Sequence, residues 1–284
     1  MNRKEWMIAG VVVAALLLLA LSSGANRRAV PDQAGPGEMG RGVPAQTASE
    51  ASPSQAEDVV PEGPQLMADQ EALMNRLAEA MKAGDKVKAA RILLDDEDMF
   101  RQIFYETMGS GRYLYAEGGL SQELEGVGLV LTAGGTCFYG EFRGGRPHGR
   151  CTALQAVELD MPRYDFAEGL WADGYLEGPG ILGYRYFDGA PEGEAWEVKK
   201  EGRFVKDQMN GEIIYSISNQ NGEAGIWKMD VVNGVTQLDG RWKPVPGEDK
   251  YQLAAQNDTA RAYVLTPGEA AEARWVNLLV WEIR

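Results

Sequence analysis

The sequence predicts a mainly β protein: a single-layer antiparallel sheet of stacked β-hairpins, preceded by a small α-helical section and closed by a capping helix. Three observations lead there. Glycine is concentrated, with 26 of the 35 glycines lying between Gly109 and Gly247. Aromatic residues keep the same company, since none occurs between Trp6 and Phe100. Within that stretch glycines and rings return at fixed offsets. Gly140 and Gly149, Gly169 and Gly178, Gly202 and Gly211, and Gly225 and Gly234 stand nine residues apart, and a large ring follows each first glycine by two, at Phe142, Trp171, Phe204 and Trp227.

Each element can be argued in chain order. "MNRKEW" is a short charged head, and "MIAGVVVAALLLLAL" (Met7 to Leu21) is apolar throughout before "SSGA". That layout is a secretory signal with a small-residue cleavage site, or an uncleaved anchor with Trp6 at the interface. Residues 1–25 are therefore expected to be a signal peptide or transmembrane anchor, with the bulk of the chain outside the cytoplasm or secreted. Residues 26–64 hold six prolines and almost no large apolar side chains, so they cannot bury enough surface to offset ordering entropy and read as a disordered linker.

From residue 65 to 108 the apolar period becomes helical. Leu66, Leu73, Leu77 and Met81 share a face, widened by Met67 and Met74. Gly84 stands where a glycine stops that helix, and Asp85 is placed to N-cap a second. A third, "DEDMFRQIFYETM", sets acidic residues in its first turn and Phe100, Ile103, Phe104 and Thr107 on one face. So small a section is marginal alone and is expected to pack on the sheet or on a partner.

Residues 109–248 are the repeated hairpins. In a strand, residues two apart share a face, so Phe138, Gly140 and Phe142 point the same way, and the glycine leaves a bare floor for the flanking rings. Turns are expected four and five residues after each first glycine: at Gly144-Gly145 and Asp173-Gly174, and more weakly at Lys206-Asp207 and Met229-Asp230. The starts are 29, 33, 23 and 15 residues apart, the last being Gly240 with Trp242, and "YLYAEGGLSQELEGVGLVL" reads as a decayed first unit around Gly126 and Gly128. A hairpin cannot bury its apolar face alone, so successive hairpins pair edge to edge, as repeat architectures do.

"FYGEFRGGRPHG", "AEGLWADGYLEGPG" and "KEGRFVKDQMNG" resemble the MORN repeat (membrane occupation and recognition nexus), over about residues 113 to 245. The closing Gly-x-Gly survives only at Gly178-Pro179-Gly180, and the leading ring only at Phe138. The resemblance implies a single-layer sheet of successive hairpins used for protein or membrane-surface association and sometimes dimerisation. It does not imply an enzyme.

Candidate chemistry is sparse. His148, the only histidine, precedes a second glycine where other units carry Glu177, Asn210 and Asn233, so it reads as structural rather than catalytic or metal-binding. Phe142, Trp171, Phe204, Trp227 and Trp242 are expected on one face, as a packed core stripe or as a groove for an extended peptide, a glycan or a docked helix. Cys137 and Cys151 flank one proposed hairpin and are read either as a disulfide or as buried thiols, because a one-residue register change moves them to opposite faces. A net charge of −14, with 13 basic and 21 acidic residues between Gly109 and Glu248, argues against nucleic acid. Residues 249–284 are expected to cap the sheet: Thr266 with Glu269 forms a capping box, Pro267 takes the first helical position, and Trp275, Leu278, Leu279 and Trp281 follow, with a terminal strand as the alternative.

The expected function is a non-enzymatic, membrane-tethered or exported protein–protein interaction scaffold, binding another protein or itself, without cofactor or metal. The alternative is an extracytoplasmic glycan-binding module using the aromatic stripe.

Overall fold

The computed structural model describes residues 66–107, 112–116, 119–120, 124–132 and 134–276. The expected signal or anchor and the linker lie outside these residues, as do Leu278, Leu279 and Trp281.

Three helices open the described chain: α1 (Ala68–Lys82), α2 (Lys86–Asp95) and α3 (Glu97–Thr107). The breaks fall where the residues demand them. Gly84 takes φ +70°, a left-handed conformation that ends α1. The Asp85 carboxylate then accepts from the Lys88 N–H at 3.0 Å and caps α2. Leu73, Met74, Leu77, Ile92, Phe100 and Ile103 are buried together with Leu129, Leu131, Cys137, Leu154, Tyr164 and Phe166 of the sheet. The helical section thus packs on the sheet, where α2 is also held by Lys86, 2.7 Å from Glu168 and over the Phe166 ring.

Among the described residues the sheet has eleven antiparallel strands: β1 (Arg112–Ala116), β2 (Gly119–Leu120), β3 (Gly126–Thr132), β4 (Thr136–Arg143), β5 (Arg146–Val157), β6 (Arg163–Ala172), β7 (Tyr175–Tyr186), β8 (Glu197–Val205), β9 (Gln208–Ser218), β10 (Ala224–Val232) and β11 (Val235–Thr236). Spatial order follows chain order from β11 back to β3, after which β1 intervenes before β2. The sheet is open, a row of hairpins as predicted. Gly144-Gly145, Asp173-Gly174 and Lys206-Asp207 are two-residue turns with positive φ at both positions, the hairpin geometry that matches strand twist. The fourth turn is Asn233-Gly234, not Met229-Asp230, which lie inside β10.

The same irregularity recurs in successive hairpins. Gly140 faces Cys151 while Phe142 faces Pro147, so between these pairs one residue of β4 stands against three of β5. Gly169 and Trp171 against Gly180 and Leu176 repeat this, as do Gly202 and Phe204 against Ile213 and Met209. Each such bulge contains the unit's second glycine, and Gly149, Gly178 and Gly211 take φ of 87°, 103° and 96° there. The first glycines serve a different need. A Cβ on Gly140 would stand 2.6 Å from the Cys151 Cα, and one on Gly169 would stand 2.6 Å from the Gly180 Cα.

The C-terminal section is a second small sheet, β12 (Lys243–Pro244), β13 (Tyr251–Ala254) and β14 (Ala262–Leu265), followed by α4 (Pro267–Ala271). The capping box forms, with the Thr266 hydroxyl accepting from the Glu269 N–H and Glu269 accepting from the Thr266 N–H. The helix is only five residues long, because Glu272 turns extended at ψ 124°. Trp275 therefore lies beyond it and forms an isolated antiparallel bridge with Gln208. The three short strands were not foreseen.

Candidate functional site

The two faces of the sheet carry different chemistry. One bears the rings. Across it, Phe138, Ala153, Ala167, Leu182, Lys200, Tyr215 and Trp227 are register partners in one row. Beside them runs a row of small residues: Gly128, Gly140, Cys151, Gly169, Gly180 and Gly202. Large side chains from the turn side fold over that floor. The Trp171 indole donates to the Cys151 carbonyl at 2.8 Å and meets the Phe138 ring edge-on at 5.8 Å.

The predicted ring series is buried: Phe142, Trp171, Phe204, Trp227 and Trp242 are all at most 5% exposed. They form part of one core, so no ligand can lie flat on them as a glycan platform. Nor do they form one row. Phe142, Trp171 and Phe204 face Gly126, Gly149 and Gly178 of the preceding hairpins, but the residue facing Gly211 is Val231. Trp227 pairs with Tyr215 instead, and Trp242 follows β11 in the C-terminal section. The spacing of Gly225 and Gly234 is thus out of phase with the other units, and Gly234 belongs to a turn. Gly225 still acts as a floor, since its Cβ would meet the Trp227 ring.

The turns are tied to one another. Gly145 N–H donates to the Leu124 carbonyl, Gly174 to Pro147, Asp207 to Leu176 and Gly234 to Met209, at 2.9–3.1 Å. A side chain one residue further on accepts from the turn's first N–H: Glu125 from Gly144, Glu177 from Lys206 and Asn210 from Asn233. His148 occupies that same place, with Nδ1 3.7 Å from an Asp173 carboxylate oxygen. Its equivalents are Glu125, Glu177 and Asn210; Asn233 is a turn residue.

Cys137 and Cys151 are free, buried thiols. Cys137 faces Leu154 whereas Cys151 faces Gly140, an odd offset that places them on opposite faces, Cys137 among the helices and Cys151 under the rings. A disulfide between them is excluded by that register, and burial pushes both thiols up.

Two polar groups on the ring face escaped the sequence reading. Arg163 Nε stands 3.1 Å from Asp165, with its guanidinium over the Tyr184 ring at 4.6 Å, and the Tyr186 hydroxyl donates to Glu194. Burial raises Asp165, an effect that Arg163 opposes. Further along, Lys200 and Arg274 approach the same cavity with Tyr215 and Tyr263. Strand alternation was the available signal, because Val198 and Lys200 share a face and only one lysine of Lys199-Lys200 can point outward. Among the described residues no group of His, Cys, Asp and Glu is placed to hold a metal, and no helix is long and apolar enough to cross a membrane.

The opposite face divides in two. Over β4, β5 and β6 it is covered by α1 and α2. Over β8 to β10 no described helix lies on it, and Glu201, Arg203, Glu212 and Val232 are exposed there, with Lys228 2.9 Å from Glu212. The β10 edge is closed at one end: Gln256 N–H donates to the Ile226 carbonyl, and the Asn257 side chain bonds both Ile226 and Ala224. Compared with known proteins, the chain matches no family model and no curated sequence.

Proposed function

We propose that this chain is a MORN-like repeat protein that works by association rather than catalysis, holding a protein partner or a second copy of itself on the bare outer face of β8 to β10. The observation that carries this reading is the turn-to-turn ladder. It locks successive hairpins into one stiff surface, of which half is taken by the chain's own helices and half presents mixed charge with isolated apolar residues. Protein interfaces of modest area combine a rigid scaffold with such side chains. Residues 1–25 would tether the chain to a membrane or export it, and residues 26–64 would give the sheet reach.

Light scattering after size exclusion, with affinity capture of the full-length chain, tests the reading. Self-association or a retained protein partner is expected, and the double charge reversal Arg203→Glu with Lys228→Glu should abolish it while the thermal midpoint stays put. A strictly monomeric chain that retains nothing overturns it. Deleting residues 1–25 should shift the chain from the membrane fraction, or abolish its export.

A further inference from the structure

We propose that the small cleft onto which Lys200, Tyr215, Tyr263 and Arg274 converge is a binding site for one small monovalent anion, of the size of chloride or of a single carboxylate group. The cavity has a volume of about 20 Å³, room for roughly one water-sized particle. Four elements bring its basic and phenolic groups together: β8 supplies Lys200, β9 Tyr215, β14 Tyr263, and the segment after α4 Arg274. The remaining wall is Thr236, Ile213 and two methionines.

The charge balance is what points to an anion. Both ionisable basic groups are cations in a chain with 42 acidic and 28 basic residues, yet among the described residues no carboxylate lines the cavity. Arg274 spends one Nη on the Glu269 carbonyl at 2.8 Å, and its buried Nε has no partner. Among the described residues Lys200 has the Tyr215 ring, 5.4 Å away, as the one group that offsets its charge. The Tyr215 and Tyr263 rings meet edge-on at 5.0 Å, which closes the apolar side. Burial first, and Arg274 after it, push the Lys200 ammonium down to about 8. Lys200 and Arg274 are half-buried, and two like charges facing one small space are costly without a counter-charge. A water supplies hydrogen-bond capacity to such a place but no charge, whereas an anion supplies both. Because Arg274 follows α4 and Lys200 belongs to the sheet, the bound ion would also pin the C-terminal section onto the ring face.

The test is chlorine-35 NMR on the full-length chain, with sodium chloride as the probe, then sodium acetate as competitor. Excess line broadening that saturates with chloride is expected for the wild type, lost in Lys200→Met and in Arg274→Gln, and kept in Lys200→Arg and in Lys250→Met, whose lysine is an exposed surface one. Displacement by acetate assigns the site to carboxylates as well as halides; its absence restricts the site to halides. Should Lys200→Met fail to fold, crystals of the wild type soaked in sodium bromide decide the matter through anomalous scattering. A bromide between Lys200 and Arg274 supports the site. Density for water alone there, no excess broadening in the folded wild type, or broadening untouched by both charge-removing variants overturns it.

Discussion

Asp207 and Leu176 hold one another at two points: the Asp207 N–H donates to the Leu176 carbonyl at 3.1 Å, and the Leu176 N–H donates to the Asp207 carboxylate at 2.7 Å. Asp207 is buried and sits at φ 68°, a conformation that favours glycine. The other turns place glycine here, at Gly145, Gly174 and Gly234, and make only the backbone half of the clasp. Asp207 accepts backbone strain in exchange for a second bond.

The Asp207 substitutions should therefore rank in a particular order. Asp207→Asn keeps an acceptor for Leu176 and should cost about 1 kcal/mol. Asp207→Gly relieves strain but leaves the buried Leu176 N–H without its partner, at about 2 kcal/mol, and Asp207→Ala adds the positive-φ penalty, at about 3 kcal/mol. Urea unfolding of the four proteins checks this. A glycine variant as stable as wild type would mean that the carboxylate contributes nothing to the joint between hairpins.

The glycines divide by what surrounds them. A Cβ on Gly169 would stand 2.5 Å from the Pro179 carbonyl oxygen and 2.6 Å from the Gly180 Cα, at φ 150°. Backbone of a central strand cannot retreat, so Gly169→Ala should cost more than about 2 kcal/mol. Around Gly240 nothing lies within 4 Å and φ is not in the positive range. Gly240→Ala should be neutral or stabilise by about 0.5 kcal/mol through the unfolded chain. Thermal midpoints of the two variants measure the contrast.

The same division explains what could be read in advance. Gly149, Gly178 and Gly211 are glycine because a bulge demands positive φ, and Gly140 and Gly169 because another backbone lies against them. Such needs admit few residue types, so they mark the sequence at even spacing. At the fourth unit the marks vanish: Met229 takes the first-glycine place opposite Ile213, and Val231 the ring place opposite Gly211. There β13 and β14 cover the ring face, and Tyr263 packs on Tyr215, Trp227 and Trp242. Space that earlier units fill with their own ring is filled by another section, and the sequence rule lapses. The covering strands, of two to four residues, are too short for alternation to show. The cavity at Lys200 arises where these non-local pieces meet, and only the inward parity of one lysine hinted at it.

The register that separates Cys137 from Cys151 makes a chemical prediction. Both thiols are at most 4% exposed, and burial holds them protonated at neutral pH. A thiol reagent such as dithionitrobenzoate should label neither in the native chain and both in urea, and native mass should be the same with and without reductant. Rapid labelling of either, or a two-dalton loss reversed by reductant, would contradict the register. Cys151→Ala should cost less than Cys137→Leu, since the first leaves a small void beneath Trp171 while the second forces extra volume between sheet and helices.

Lys200 gives the fold a pH dependence of defined sign. Its ammonium is pushed down to about 8 in the folded chain by burial and then by Arg274, against roughly 10.4 when unfolded. Between those values the unfolded chain binds a proton that the folded chain does not, so this group makes stability rise with pH; below pH 8 both states are protonated and the full penalty stands. The penalty is on the order of 3 kcal/mol at neutral pH, by the size of the shift. Tyr215, Tyr263 and Tyr184 act oppositely above pH 10, because burial raises them and an unfolded tyrosine ionises first. The window is therefore pH 8 to 10. In halide-free buffer the urea midpoint of the wild type should climb across it, and Lys200→Met should start higher at pH 7 and stay flat. Saturating chloride should raise the wild-type midpoint at pH 7 and shrink the climb, because an anion that favours charged Lys200 returns its ionisation toward the ordinary lysine range. A midpoint that falls from pH 8 to 10 in the wild type, or climbs equally in Lys200→Met, would show that another group governs the profile.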